Sequence, residues 1–210
     1  MPAGIVIILI LAVLLFLNYG ENIAYALALS DKKAAVFLLL LTFFYMIRPF
    51  TLEGVTVYWL PYFSLFIYGL YLLSKLEYIF RNIILSIFSA LLLYGLSLKV
   101  LPQPIGLIYE PFVIYALLLI ILNILFSFGK RSVVFNSIFS ILISNTVMIF
   151  TETHNSIMSP DAFSAIVISA TVSYFPVTLL ADKKILLMPN RIFQNESDDQ
   201  LFHKHKSRKW

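Results

Sequence analysis

Apolar residues run along this chain in long stretches, and charge falls between them or near their ends. The stretches fall at about 3–19, 34–48, 55–74, 82–99, 106–128, 133–150 and 162–181. Several end on punctuation: Arg48-Pro49 after the second, Lys99 after the fourth, Gly129-Lys130-Arg131 after the fifth. After Met188-Pro189 the chain is polar to Trp210. Continuous runs without strict alternation predict helices rather than the strands of a barrel. The pattern therefore predicts an all-α fold, a polytopic transmembrane bundle of seven helices over 1–189. A polar tail at 190–210, cytoplasmic and without fixed structure, follows it. The fourteen residues 34–47 of the second run rise only ~21 Å, against a hydrocarbon core of ~30 Å. Lys32, Lys33 and Arg48 would snorkel to extend that helix; the alternative is a shallow hairpin formed by runs one and two.

Composition agrees with a lipid environment. Apolar residues make up 60% of the 210 positions and charged residues 12%, about half the charged share of an ordinary soluble domain. There is no cysteine, which excludes disulfides and thiolate metal sites. The net charge of +4 is strung along loops rather than gathered on one face, so nucleic acid is not an expected partner. No cofactor is implied.

The distribution of lysine and arginine predicts an orientation. Lys32 and Lys33 follow run one, Lys75 and Arg81 follow run three, Lys130 and Arg131 follow run five, and seven more follow run seven. These thirteen face only Arg48 and Lys99 in the alternate loops. By the positive-inside rule the N-terminus is expected outside and the C-terminus in the cytoplasm of a plasma membrane. Removing runs one and two together leaves this parity unchanged. The first run lacks a basic segment before it and is expected to be a retained anchor rather than a cleaved signal.

No ionisable residue lies in the central part of any run, which argues against a proton relay or a catalytic centre at mid-membrane. The outer loops should carry Glu53, Glu110, Glu152, His154 and Asp161. Ser159-Pro160-Asp161 reads as a helix start, with Ser as cap, Pro at the first position and Asp favoured by the dipole. Glu110-Pro111 reads similarly. Glu152 and His154 are two apart, a spacing that diverges on a helix, and no metal-binding or paired-carboxylate motif supports them. No catalytic and no metal-ligating residue is assigned.

Run six carries a small polar stripe, Ser132, Asn136, Ser140 and Ser144, with Ser137 and Asn145 beside it. Run seven has Ala165, Ser169 and Ser173 at the same spacing, and run five adds Asn123 and Ser127. Such stripes serve helix packing or line a ligand cavity; the packing reading places runs six and seven against each other or against the bundle interior. Asn123, Asn136 and Ser140, with Glu110, Glu152 and His154 above them, are the candidate ligand contacts. Tyr58, Trp59 and Tyr62 suit an interfacial aromatic belt, while Tyr68 and Tyr71 approach the inner end. In the tail, Lys204, Lys206, Arg208 and Lys209 are positioned to contact anionic inner-leaflet lipid, or to be simply solvated.

The segment Tyr68-Gly69-Leu70-Tyr71-Leu72-Leu73-Ser74-Lys75 and the Pro-flanked entry into an aliphatic helix over 106–121 resemble the YphA-like family of bacterial membrane proteins. The resemblance implies a topology and a bacterial origin, with no catalytic motif and no mechanism. Three functional readings follow from the chain. The leading one is a non-enzymatic membrane component or assembly partner. The second is a ligand-binding subunit of a small-molecule transporter, with runs two to seven as a six-helix unit. The third is a surface-acting enzyme on lipid or envelope substrates using Glu110, Glu152 and His154.

Overall fold

The computed structural model describes residues 3–52, 55–99, 111–127, 129–151 and 156–186. Of these 82% are helical, in eight helices. The order is α1 (Ala3–Phe16), α2 (Glu21–Ala26), α3 (Asp31–Met46), β1 (Phe50–Leu52), β2 (Val55–Val57), α4 (Trp59–Leu73), α5 (Ile79–Lys99), α6 (Pro111–Phe126), α7 (Lys130–Phe150), β3 (Ser156–Ile157) and α8 (Pro160–Leu186). The chain divides into one unit over Met1–Val177 and a second over Thr178–Trp210, of which the described residues 178–186 are helical. The tail at 190–210, with Lys204, Lys206, Arg208 and Lys209, lies outside the described residues.

Three of these helices are long and apolar enough to cross a membrane, over Ile79–Leu98, Lys130–Met148 and Pro160–Leu179. Ala3–Phe16, Trp59–Leu73 and Phe112–Phe126 are apolar but shorter, rising ~21–23 Å.

Several boundaries differ from the apolar runs, each for a local reason. The first run continues to 19, but α1 stops at Phe16 because Asn18 takes a left-handed conformation (φ 59°). The Asn18 and Tyr19 N–H groups then bond back to the carbonyls of Leu15 and Leu14, which is a Schellman cap. The chain turns straight into α2, an element the apolar pattern did not predict because six residues carry no period. A second Schellman cap closes α2: Ala28 (φ 51°) and Leu29 bond back to Tyr25 and Ala24. The third run was expected to be helical from 55, yet the helix begins at Trp59. Val55-Thr56-Val57, with two β-branched valines around a threonine, is better suited to a pleated strand. It pairs antiparallel with β1 (Thr51 opposite Thr56) and parallel with β3 (Val57 opposite Ile157). The α3–α4 and α7–α8 connections therefore meet in one small sheet. The expected start of the last helix is present: the Ala162 N–H donates to Ser159 Oγ at 3.2 Å, and the helix begins on Pro160.

The core centres on α7, which packs against α5 most extensively and also against α4, α6 and α2. Runs six and seven thus do not form the principal pair; both stripes face the bundle interior instead. Asn82 and Ser132, near the N-terminal ends of α5 and α7, are hydrogen bonded, so these two helices run parallel. On α4, Gly69 leaves the space that the Phe139 ring of α7 fills: a Cβ there would clash with the ring. α1 packs on α3; Ile8, Ala12 and Leu15 of α1 and Ala34, Ala35, Leu38 and Leu41 of α3 are all buried. The small alanines let these two backbones approach closely.

Candidate functional site

Polar residues of the bundle interior converge where α6 meets α7. Asn123 Oδ1 accepts from Asn136 Nδ2 at 2.7 Å and from Ser127 Oγ at 3.2 Å. Asn123 Nδ2 donates to Ser137 Oγ at 3.0 Å, and Asn136 Oδ1 accepts from Ser140 Oγ at 3.0 Å. Asn123, Asn136, Ser137 and Ser140 are all 0% exposed. A helical repeat of four on α7 and the i, i+4 pair Asn123/Ser127 on α6 bring these groups onto facing surfaces. Each amide uses both its carbonyl and its NH2 within the cluster, so the amides are spent on one another rather than turned to a cavity. Nothing in it titrates near neutral pH, and it contains no base to activate a serine. Among the described residues no cluster of three His, Cys, Asp or Glu could hold a metal.

The three interior candidates from the chain, Asn123, Asn136 and Ser140, are thus brought together. Glu110, Glu152 and His154 lie outside the described residues. Shallow grooves lie on the surface of the described residues. One is lined by Lys32, Lys33, Val36 and Phe37, another by Leu91, Leu92, Gly95, Leu96, Leu98 and Leu118. Neither touches the Asn123 cluster. On α5 the inward face carries Asn82, Ser86 and Ser89, all buried. Their spacing of i, i+4, i+7 was the signal for this face, masked by the bulky apolar residues around it. Ser86 Oγ, Ser89 Oγ, Ser144 Oγ, Asn145 Nδ2 and Ser173 Oγ are buried without a hydrogen-bond partner among the described residues.

A second constellation surrounds α2. Tyr68 and Tyr71, one turn apart on α4, donate to the consecutive carbonyls of Leu27 (2.7 Å) and Ala28 (2.9 Å). They thereby satisfy acceptors that the end of a helix leaves open. Arg131 Nε donates to the Tyr25 carbonyl at 3.3 Å, and the guanidinium lies 4.5 Å over the Tyr25 ring. Lys130 donates to Asn22 Oδ1 at 3.2 Å and sits 5.4 Å over Tyr174. Tyr174 donates to the Asn22 carbonyl at 3.2 Å. The connections α1–α3, α4–α5 and α6–α7 therefore gather at this end, and the sheet with Tyr45, whose hydroxyl donates to the Met158 carbonyl at 3.2 Å, occupies the other. Tyr68 and Tyr71 thus hold the backbone at the end of α2.

No family model, no curated protein and no solved structure matches this chain.

Proposed function

We propose that this protein is a multi-pass component of the plasma membrane, with α1 and α3–α8 as seven spans and α2 at the cytoplasmic surface. The N-terminus is outside and the C-terminus inside. It carries no chemistry of its own and acts by assembling with another membrane protein.

The supporting observation is the inversion of burial. Asn123 and Asn136 are 0% exposed, whereas Phe80 is 77% and Phe175 69% exposed. Water would penalise that arrangement and lipid favours it, since hydrocarbon forbids unpaired amides and accepts phenyl rings. The distribution of basic residues supports the orientation: Lys32, Lys33, Lys75, Arg81, Lys130 and Arg131 lie in or beside the connections at the α2 end, and Arg48 beside β1 at the sheet end. The non-catalytic reading rests on the interior cluster, whose amides bond one another. The resemblance to the YphA-like family is compatible with this topology.

Mild solubilisation of native membranes, chemical cross-linking and affinity capture of the tagged full chain tests the assembly reading. The expected result is one recurrent membrane protein captured in near-constant ratio. Repeated recovery of the chain alone, from cross-linked membranes, overturns it.

A further inference from the structure

We propose that the groove at the start of α3 is a binding site for one anionic phospholipid of the inner leaflet, its phosphate between Lys32 and Lys33 and an acyl chain along Val36 and Phe37. The inference deepens the membrane reading above and rests on it.

The groove is shallow, has a volume of about 390 Å3 and is lined by Lys32, Lys33, Val36 and Phe37. Lys32 and Lys33 are both exposed. Neither has an ion-pair or hydrogen-bond partner among the described residues. Asp31 precedes them in the first turn of the same helix and forms no ion pair with either. Ser30, the capping residue of α3, makes no side-chain hydrogen bond to the first turn, so the positive helix end adds to the field of the two ammonium groups. A turn further into the hydrocarbon, the groove is apolar. Val36 is 53% exposed, and Phe37 lies against Tyr68 with ring centroids 4.3 Å apart and planes tilted by 37°. Tyr68 in turn neighbours Tyr71, whose ring carries the Lys75 ammonium at 5.8 Å. Lys75 thus adds a third cation beside the Phe37–Tyr68–Tyr71 ring contacts, and Val36 and Phe37 lie one turn beyond Lys32 and Lys33 on α3. Charge at headgroup depth and apolar surface below it match a phospholipid with net negative charge. A zwitterionic lipid would bring its own cation against the lysines. A soluble anion would leave Val36 unoccupied.

The full chain is incorporated into nanodiscs of phosphatidylglycerol and phosphatidylcholine in equal amounts and transferred to native mass spectrometry. The wild type is expected to retain one phosphatidylglycerol about ten-fold more than phosphatidylcholine, equivalent to about 1.4 kcal/mol. The Lys32→Gln/Lys33→Gln variant should lose that preference, and Lys32→Arg/Lys33→Arg should keep it. A variant neutral at Lys204, Lys206, Arg208 and Lys209 should also keep it. Equal retention of both lipids by the wild type, or an unchanged preference in the glutamine variant, overturns the proposal. Should the glutamine variant not fold, Val36→Trp gives an independent reading. Its fluorescence should be quenched more by brominated phosphatidylglycerol than by brominated phosphatidylcholine, and equal quenching overturns the site. Failure of the wild type to enter nanodiscs at all is a different result: it overturns the membrane reading and this proposal with it.

Discussion

The hydroxyl of Tyr68 reaches the carbonyl of Leu27 at 2.7 Å, joining α4 to a residue 41 positions earlier. Leu27 ends α2, and its carbonyl has no helical partner; Tyr71 serves Ala28 in the same way at 2.9 Å. Removing the Tyr68 hydroxyl leaves an acceptor that costs ~1–3 kcal/mol if it stays dry. Tyr68→Phe is expected to destabilise the protein within that range, and Tyr68→Phe/Tyr71→Phe by more. Hydrogen exchange over 24–29 should speed up in both variants while exchange in α7 is unchanged.

Ala28 closes α2 with a positive φ of 51°, a conformation that costs an L-residue about 1–2 kcal/mol. Glycine adopts it freely and keeps the carbonyl that Tyr71 uses. Ala28→Gly is therefore expected to stabilise the protein by about 0.5–1 kcal/mol, after the entropy glycine adds to the unfolded chain is subtracted. A lower midpoint in reversible denaturation than that of the wild type would refute the strain argument.

Asn123 gives its carbonyl to Asn136 and Ser127 and its NH2 to Ser137. Asn123→Leu strands all three in hydrocarbon and is expected to cost about 2–3 kcal/mol. Ser173 is the contrasting case, buried with no partner among the described residues. Ser173→Ala removes a desolvated hydroxyl and nothing that depends on it. Its effect should lie between neutral and about 1 kcal/mol stabilising. Both comparisons are measurable by denaturant titration in bicelles.

Gly4 lets α1 lie directly on α8: its N–H donates to Ser164 Oγ at 3.0 Å, and a Cβ at Gly4 would fall 2.6 Å from the Ser164 Cα. The obstruction is backbone and cannot rotate away. Gly4→Leu should push the helices apart at a cost of about 1–3 kcal/mol. Ser164→Ala, which keeps the space and loses the bond, should cost about 1 kcal/mol. Equal losses in the two variants would mean that the contact is not steric.

The absence of native cysteine makes sidedness directly measurable. Asp161→Cys in intact cells should react with a membrane-impermeant maleimide, and Ser207→Cys should react only after permeabilisation. Identical behaviour at both positions would refute the proposed threading.

Legibility in the chain followed the range of the interaction. The Ser159 cap on α8 was readable because a serine, a proline and an aspartate act within one turn. The stripe on α7 was readable because small polar residues every four positions stand out against leucine and isoleucine. Ser86 and Ser89 on α5 escaped notice because Phe88, Leu91 and Leu92 dominate the same stretch. The six residues of α2 escaped because they exist as a helix by virtue of contacts from α4 and α7, not of their own period. Of the candidate site, Asn123, Asn136 and Ser140 were legible as residues, and their use of one another was not.

Amino-acid order alone determined that the chain is built of apolar helices with cations between them, because helix periodicity, capping and charge segregation are properties of neighbours in sequence. Only the tertiary structure decided that α5 rather than α8 is the main partner of α7, and that two tyrosines close α2. Those outcomes depend on which small residues let backbones approach and which open carbonyls find a donor. Both are settled between segments tens of residues apart, where a one-dimensional pattern carries no distance.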